Sequence, residues 1–199
     1  MGAQKVLLPY GGRTLIEHII RAIEAGGADE VIAVTGHQAD RVVAALSNSS
    51  VRIAFNEDYR SGMFSSVRHG IRTASPDTDA FLVALGDQPA IRSDVVRLLL
   101  ETFRDNDESS ETISGAIVVP TYCGKRGHPV VFSSRFRNEV LSCYDDVGLR
   151  GLPAAHPDAV REVPLRNAGI LRDMNVPKDY KKELDELAKT CRDSNKQIL

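Results

Sequence analysis

The chain has 199 residues, of which 42% are hydrophobic, with 25 Lys and Arg set against 27 Asp and Glu for a formal net charge of -2. That length supports one compact domain with its own core, and the balanced, interleaved charge excludes a broad electrostatic surface for nucleic acid or acidic membranes. No apolar run approaches membrane-spanning length, and the N-terminus lacks a signal peptide's charged start and apolar centre, so the expected location is the cytoplasm. Cys123, Cys143 and Cys191 are odd in number and far apart, which argues against a disulfide framework or a zinc knuckle.

In chain order, "TLIEHIIRAIEAGG" sets Leu15, Ile16, Ile19, Ile20 and Ile23 on one helical stripe and ends in a glycine pair suited to a left-handed cap. "EVIAVTG", "QADRVVAAL" and "VRIAFN" then read as strand, helix and strand, a βαβ unit with parallel pairing and a right-handed crossover. "GMFSSVRHGIRTA" predicts a helix after a glycine turn, "AFLVALGD" an apolar strand, and "SDVVRLLLETFRD" a helix with Ser93 as its N-cap. The polar "DNDESSETISG" reads as a mobile loop.

Beyond it, "AIVVPTY" and "HPVVFS" read as two strands joined by a turn at "GKRG", a small antiparallel element. Helical "RFRNEVLSCY", a Gly/Pro-punctuated stretch, the strand "VREVPL" and a charged helix from Pro177 to about Cys191 complete the chain, with residues 192–199 expected to fray. The fold class expected is α/β: a single three-layer, Rossmann-like domain over residues 1–199 with a mostly parallel sheet. Only the brief "KVLL" precedes the first helix, where a doubly wound sheet normally opens with a strand and a phosphate loop.

Ligands of open parallel sheets collect beyond the carboxyl ends of the strands. Asp87 stands at such an end, where a charge costs free energy unless something compensates it; a turn-forming role before Gln88-Pro89 is the plain alternative. In "GILRDMNVPKDY", Asp173 and Asn175 fall on the lip of another short strand. Hard oxygen ligands from separate strand ends suit a magnesium ion on a triphosphate, because that ion keeps most of its waters and takes one or two protein carboxylates. Lys5 supplies a counter-charge for phosphate, or is a solvated surface lysine. Gly62, Ser65 and Ser66 lie at a helix start whose free N–H groups suit an anion or a base edge, although ordinary capping accounts for the serines as well. Lys125, Arg126 and His128 sit on a glycine-flanked turn. No Walker loop, G-x-S-x-G elbow or complete G-x-G-x-x-G is present.

Taken in order, "MGAQKVLLPYGGRTLIEHII", "NEDYRSGMFSSVRHGI", "VALGDQPAI", "GKRGHPVVF" and "GILRDMNVPKDY" resemble the motifs of the molybdenum cofactor cytidylyltransferase group within the MobA-like nucleotidyltransferases. The resemblance implies transfer of a nucleoside monophosphate from CTP or GTP to the phosphate of molybdopterin, with Mg2+ bound and pyrophosphate released. It implies that Lys5 holds triphosphate oxygens and that Asp87, Asp173 and Asn175 form the metal site. Gly62, Ser65 and Ser66 would line the nucleotide side, and Gln88, Arg126 and His128 the pterin side. It further implies transient contact with a molybdenum enzyme as partner. The family's opening strand and "LAAG-x-S-x-R" loop precede the position matched by Met1-Gly2, and the chain is expected to lack both. Two alternatives stay open: a non-catalytic binding or chaperone module for the cofactor, and a transferase acting on another small phosphorylated acceptor.

Overall fold

The computed structural model describes residues 4–107 and 116–196. A short 3-10 turn, Lys5–Leu7, leads into a two-residue hairpin of β1 (Pro9–Tyr10) and β2 (Arg13–Thr14). Helix α1 (Leu15–Ala25) follows at once, because Thr14 and Glu17 close a capping box: Thr14 Oγ1 accepts from the Glu17 N–H, and Glu17 Oε2 accepts from the Thr14 N–H at 2.7 Å. Four of the five residues of the predicted stripe, Leu15, Ile19, Ile20 and Ile23, are inside, and Ile16 is partly buried.

Strand β3 (Ile32–Thr35), helix α2 (Ala39–Ala45) and β4 (Arg52–Phe55) form the expected βαβ unit, with Ile32 opposite Arg52 and Thr35 opposite Phe55 in a parallel pair. Helix α3 (Met63–Thr73), strand β5 (Ala80–Val83) and helix α4 (Ser93–Asp107) come next. Ser93 is the first residue inside α4, and the Asp94 carboxylate accepts from the Val95 N–H. The α4 helix takes in Asp105–Asp107 of the polar segment, whose remaining residues 108–115 lie outside the described ones.

The second sheet departs from the sequence pattern in how its strands are interleaved. Strand β6 (Ile117–Tyr122) turns on Cys123 and Gly124, both at positive φ, into β7 (Lys125–Arg126). The tight turn therefore falls on Cys123-Gly124, at the start of "GKRG", and Lys125 and Arg126 are strand residues. Strand β8 (Val130–Ser133) then runs back between β5 and β6, antiparallel to both, with Val83 opposite Val130 and Ile117 opposite Phe132. After α5 (Arg137–Ser142) and α6 (Gly151–Ala155), strand β9 (Val160–Pro164) pairs parallel with β6. Strands β5, β6 and β9 thus share one direction and β7 and β8 oppose it, so the sheet is mixed. Among the described residues β3 pairs only with β4 and β5 only with β8.

Pleat alternation builds the three layers. Val118 and Val131 face α4, where Leu99 and Phe103 meet them. Ile117, Val119, Val130 and Phe132 face the other way, against Ile71, Phe136, Val140 and Leu152 of the helical layer. Each such fully buried aliphatic or aromatic side chain contributes about 1.5–3 kcal/mol relative to exposure. The segment expected as a strand before Asp173 is instead a 3-10 turn, Ala168–Leu171, begun by Asn167 Oδ1 accepting from the Gly169 N–H. Helix α7 extends from Pro177 to Lys196, past the expected end near Cys191 and into the segment expected to fray. No described helix is long and apolar enough to cross a membrane.

Candidate active site

Four loops deliver polar side chains to the end of β5. After Val83 the chain passes Gly86 to Asp87, whose carbonyl accepts from the Met174 N–H at 2.9 Å. This backbone bond ties the Asp87 turn to the segment carrying Asp173 and Asn175. His128 reaches the same end because β8 is antiparallel to β5: the residue entering one strand lies beside the residue leaving the other. Its Nδ1 sits 3.5 Å from the Val83 carbonyl oxygen, and its N–H donates to the Ile170 carbonyl at 3.1 Å. Lys5 comes from the N-terminal 3-10 turn, where Val6 packs over Gly86.

Within this group Lys5 Nζ donates to Asn175 Oδ1 at 3.1 Å, and Gln88 Nε2 donates to Asp173 Oδ1 at 2.7 Å. No ion pair joins Lys5 to either acid. Burial raises the Asp87 carboxyl above its ordinary range, the neighbouring Asp173 charge raises it further, and Lys5 and His128 only partly oppose this. Burial also holds the His128 imidazole below its usual value against the pull of the Val83 carbonyl, Asp173 and Asp87. Two acids thus stand near one another with their repulsion only partly compensated.

That imbalance is what a divalent cation would relieve. Among the described residues no three His, Cys, Asp or Glu side chains gather into a closed metal cluster. A pair of carboxylates with an amide oxygen nearby fits a hard ion that keeps most of its waters, and does not fit zinc. Asp87 and Asp173 are the residues able to hold such an ion, while Asn175 Oδ1 is engaged by Lys5.

The other predicted residues lie differently. Gln88 is 3% exposed and its amide N–H is committed to Asp173, so it is not a surface for the pterin. Arg126 lies on the β6–β7 hairpin, where its Nε donates to Glu162 Oε1 at 2.8 Å, and it is absent from the charges acting on Asp87. Gly62 adopts φ +106, which favours glycine, and opens α3. Ser65 and Ser66 accept from the buried Asn56 amide at 2.9 and 3.0 Å, and Ser65 also donates to backbone carbonyls. Their hydroxyls therefore organise the loop after β4. Asn56 was missed as the organiser of that loop; its place directly after the strand "RIAF" was the available signal. Also missed was His18, whose half-buried ring lies beside the Pro89 backbone.

A family profile for the MobA-like NTP transferase domain matches residues 1–160. Nicotine blue oxidoreductase of Paenarthrobacter nicotinovorans is 38% identical over 147 residues, which is 73% of this chain and 71% of that protein. Among solved structures, a nucleotidyl transferase from Methanothermobacter thermautotroptrophicus (Mth528) superposes with a TM-score of 0.78 at 25% identity, covering 94% of this chain and 87% of its own. Rv0371c of Mycobacterium tuberculosis H37Rv, in complex with manganese, superposes with a TM-score of 0.75 at 24% identity, covering 91% of each chain, a likeness of fold alone.

Proposed function

The chain belongs to the MobA-like NTP transferase domain family, and from that premise we propose that it is a nucleotidyltransferase using CTP or GTP and Mg2+. In this reading it joins a nucleoside monophosphate to the phosphate of a molybdopterin-type pterin. The observation that carries the reading is the meeting of Lys5, Asp87 and Asp173, from three distant parts of the chain, beside the end of β5. The acceptor rests on the motif resemblance, and transient contact with a molybdenum enzyme belongs to the same proposal.

Asp87 and Asp173 would hold the cation, and Lys5, exchanging Asn175 for phosphate oxygens, would neutralise the triphosphate. When bound, Mg2+ offsets the charge that develops on the departing pyrophosphate. The acceptor phosphate oxygen forms a bond to the α-phosphorus as the bond from that phosphorus to the bridging oxygen breaks, and pyrophosphate takes the electron pair. Positioning and electrostatic stabilisation suffice for such a transfer, so no protein nucleophile is required. His128, whose burial disfavours its charged form, would orient the acceptor.

The test is pyrophosphate release by the full chain with CTP or GTP, Mg2+ and a pterin phosphate, with a panel of other small phosphorylated alcohols alongside. Release that requires both metal and acceptor, and that Asp87→Ala abolishes, supports the reading. Turnover confined to another phosphorylated acceptor moves the assignment to that substrate. Pterin binding with no release under any pairing favours a non-catalytic binding module. The name of the 38% identical relative favours a redox role as a second reading, which the same absence of pyrophosphate would bring forward.

A further inference from the structure

The residue that follows Asp87 carries a feature that neither packing nor substrate contact explains. Gln88 is 3% exposed, yet it sits in a turn where an apolar side chain would fill the space without polar cost. Its Nε2 donates to Asp173 Oδ1 at 2.7 Å across 85 residues of sequence, and its Oε1 is buried without a hydrogen-bond partner. A buried acceptor left unpaired is destabilising. The unpaired Oε1 costs about as much as the bond to the Asp173 carboxylate returns, so local stability alone does not call for the amide.

We propose that Gln88 is a positioning residue for the cation site, fixing the Asp173 carboxylate through a neutral donor. The inference rests on the nucleotidyltransferase reading of the site and adds a role for a side chain that touches neither substrate nor metal. A charged donor would hold Asp173 as firmly but would neutralise it. The amide holds one oxygen and leaves the full negative charge, with the second oxygen available to the ion. It also keeps Asp173 from swinging toward Lys5, whose ammonium is parked on Asn175 at 3.1 Å. The backbone bond from the Met174 N–H to the Asp87 carbonyl fixes the two loops, and the Gln88 side chain then fixes the carboxylate within them. Outer partners of metal-ligating carboxylates act in this way, and their removal typically lowers metal affinity about 10–100-fold.

The experiment measures Mn2+ binding by calorimetry to the full chain in the presence of CTP, together with thermal unfolding without ligand. Gln88→Met, close in shape and without a donor, should bind Mn2+ about 10–100-fold more weakly while its melting temperature stays level or rises. Gln88→Asn, whose amide is too short to reach Asp173, should lose affinity similarly and serves if the Met variant fails to fold. In an Asp173→Asn background Gln88→Met should cause no further loss, because the two side chains act as one unit. A purely structural role predicts the reverse pattern, a lower melting temperature with unchanged Mn2+ affinity, and that result overturns the inference. Additive losses in the double variant overturn it as well. Wild-type protein that binds no Mn2+ with any nucleotide overturns the reading of the site itself, and the inference with it.

Discussion

Two partly exposed carboxylates in this molecule have opposite fates. Glu139, on α5, accepts from the Tyr144 hydroxyl and from His156 Nε2 at 2.8 Å, and these bonds outweigh its burial and hold its carboxyl below the usual range. The Tyr144 hydroxyl is pushed up in turn by burial and by Glu139. Asp87 is buried to no greater benefit: it faces Asp173, gains only partial relief from Lys5 and His128, and is raised. Asp87 is the more deeply buried of the two and has the fewer donors. A carboxylate with its donors supplied locks α5 to α6, whereas one left short of them is poised for a positive ligand.

The largest effect expected from this contrast is on turnover. Asp87→Asn should lower pyrophosphate release by about 10²–10³-fold or more, as removal of a main electrostatic stabiliser does. The same change should raise the melting temperature of the unliganded protein, since it removes an ionised group that the fold disfavours. Normal turnover, or a lower melting temperature, would break the comparison. Glu139→Gln should do the opposite, leaving turnover intact and lowering the unfolding free energy in urea by about 1–3 kcal/mol through loss of hydrogen bonds to a charged group.

Acid titration separates the pair more finely. A depressed carboxyl contributes stability that is present above its unfolded value and is lost as pH falls through the folded one, so Glu139→Gln should flatten the decline below about pH 4.5. A raised carboxyl takes up its proton earlier in the native state than in the unfolded chain, so acidification favours the native protein. Asp87→Asn should therefore make the decline from neutral pH steeper. Urea unfolding midpoints at a series of pH values measure both slopes. The smallest effect expected lies outside either cluster: Thr14→Ala should cost about 1 kcal/mol by opening the α1 capping box, with turnover unchanged.

Much of the fold was legible because periodicity reports burial. The isoleucine stripe of α1, the βαβ unit around α2 and the apolar run of β5 all appeared where spacing put them. Strand partners were not legible, since alternation tells which faces are buried and says nothing of which neighbour supplies the hydrogen bonds. The insertion of β8 between β5 and β6 was therefore missed. Asp87 and Asp173 were legible as strand-end residues, Lys5 as a counter-charge and His128 as a turn residue, and their common role only through the resemblance. Gln88 was placed on the substrate side through the resemblance alone, and its tie to a partner 85 residues away is one that no local pattern reveals. Ser65 and Ser66 looked free for a ligand only because Asn56 could not be seen turning toward them.

A Cβ on Gly127 would stand 2.4 Å from the Ile170 carbonyl oxygen, and the next residue's N–H donates to that same oxygen. Main chain thus rests on main chain immediately upstream of the late acid. The spacing between the segment entering β8 and the Ile170 turn is set by backbone against backbone, which no change of rotamer can lengthen. Side chains around this contact can vary, yet the two segments would part only if that glycine were replaced or the loop redrawn.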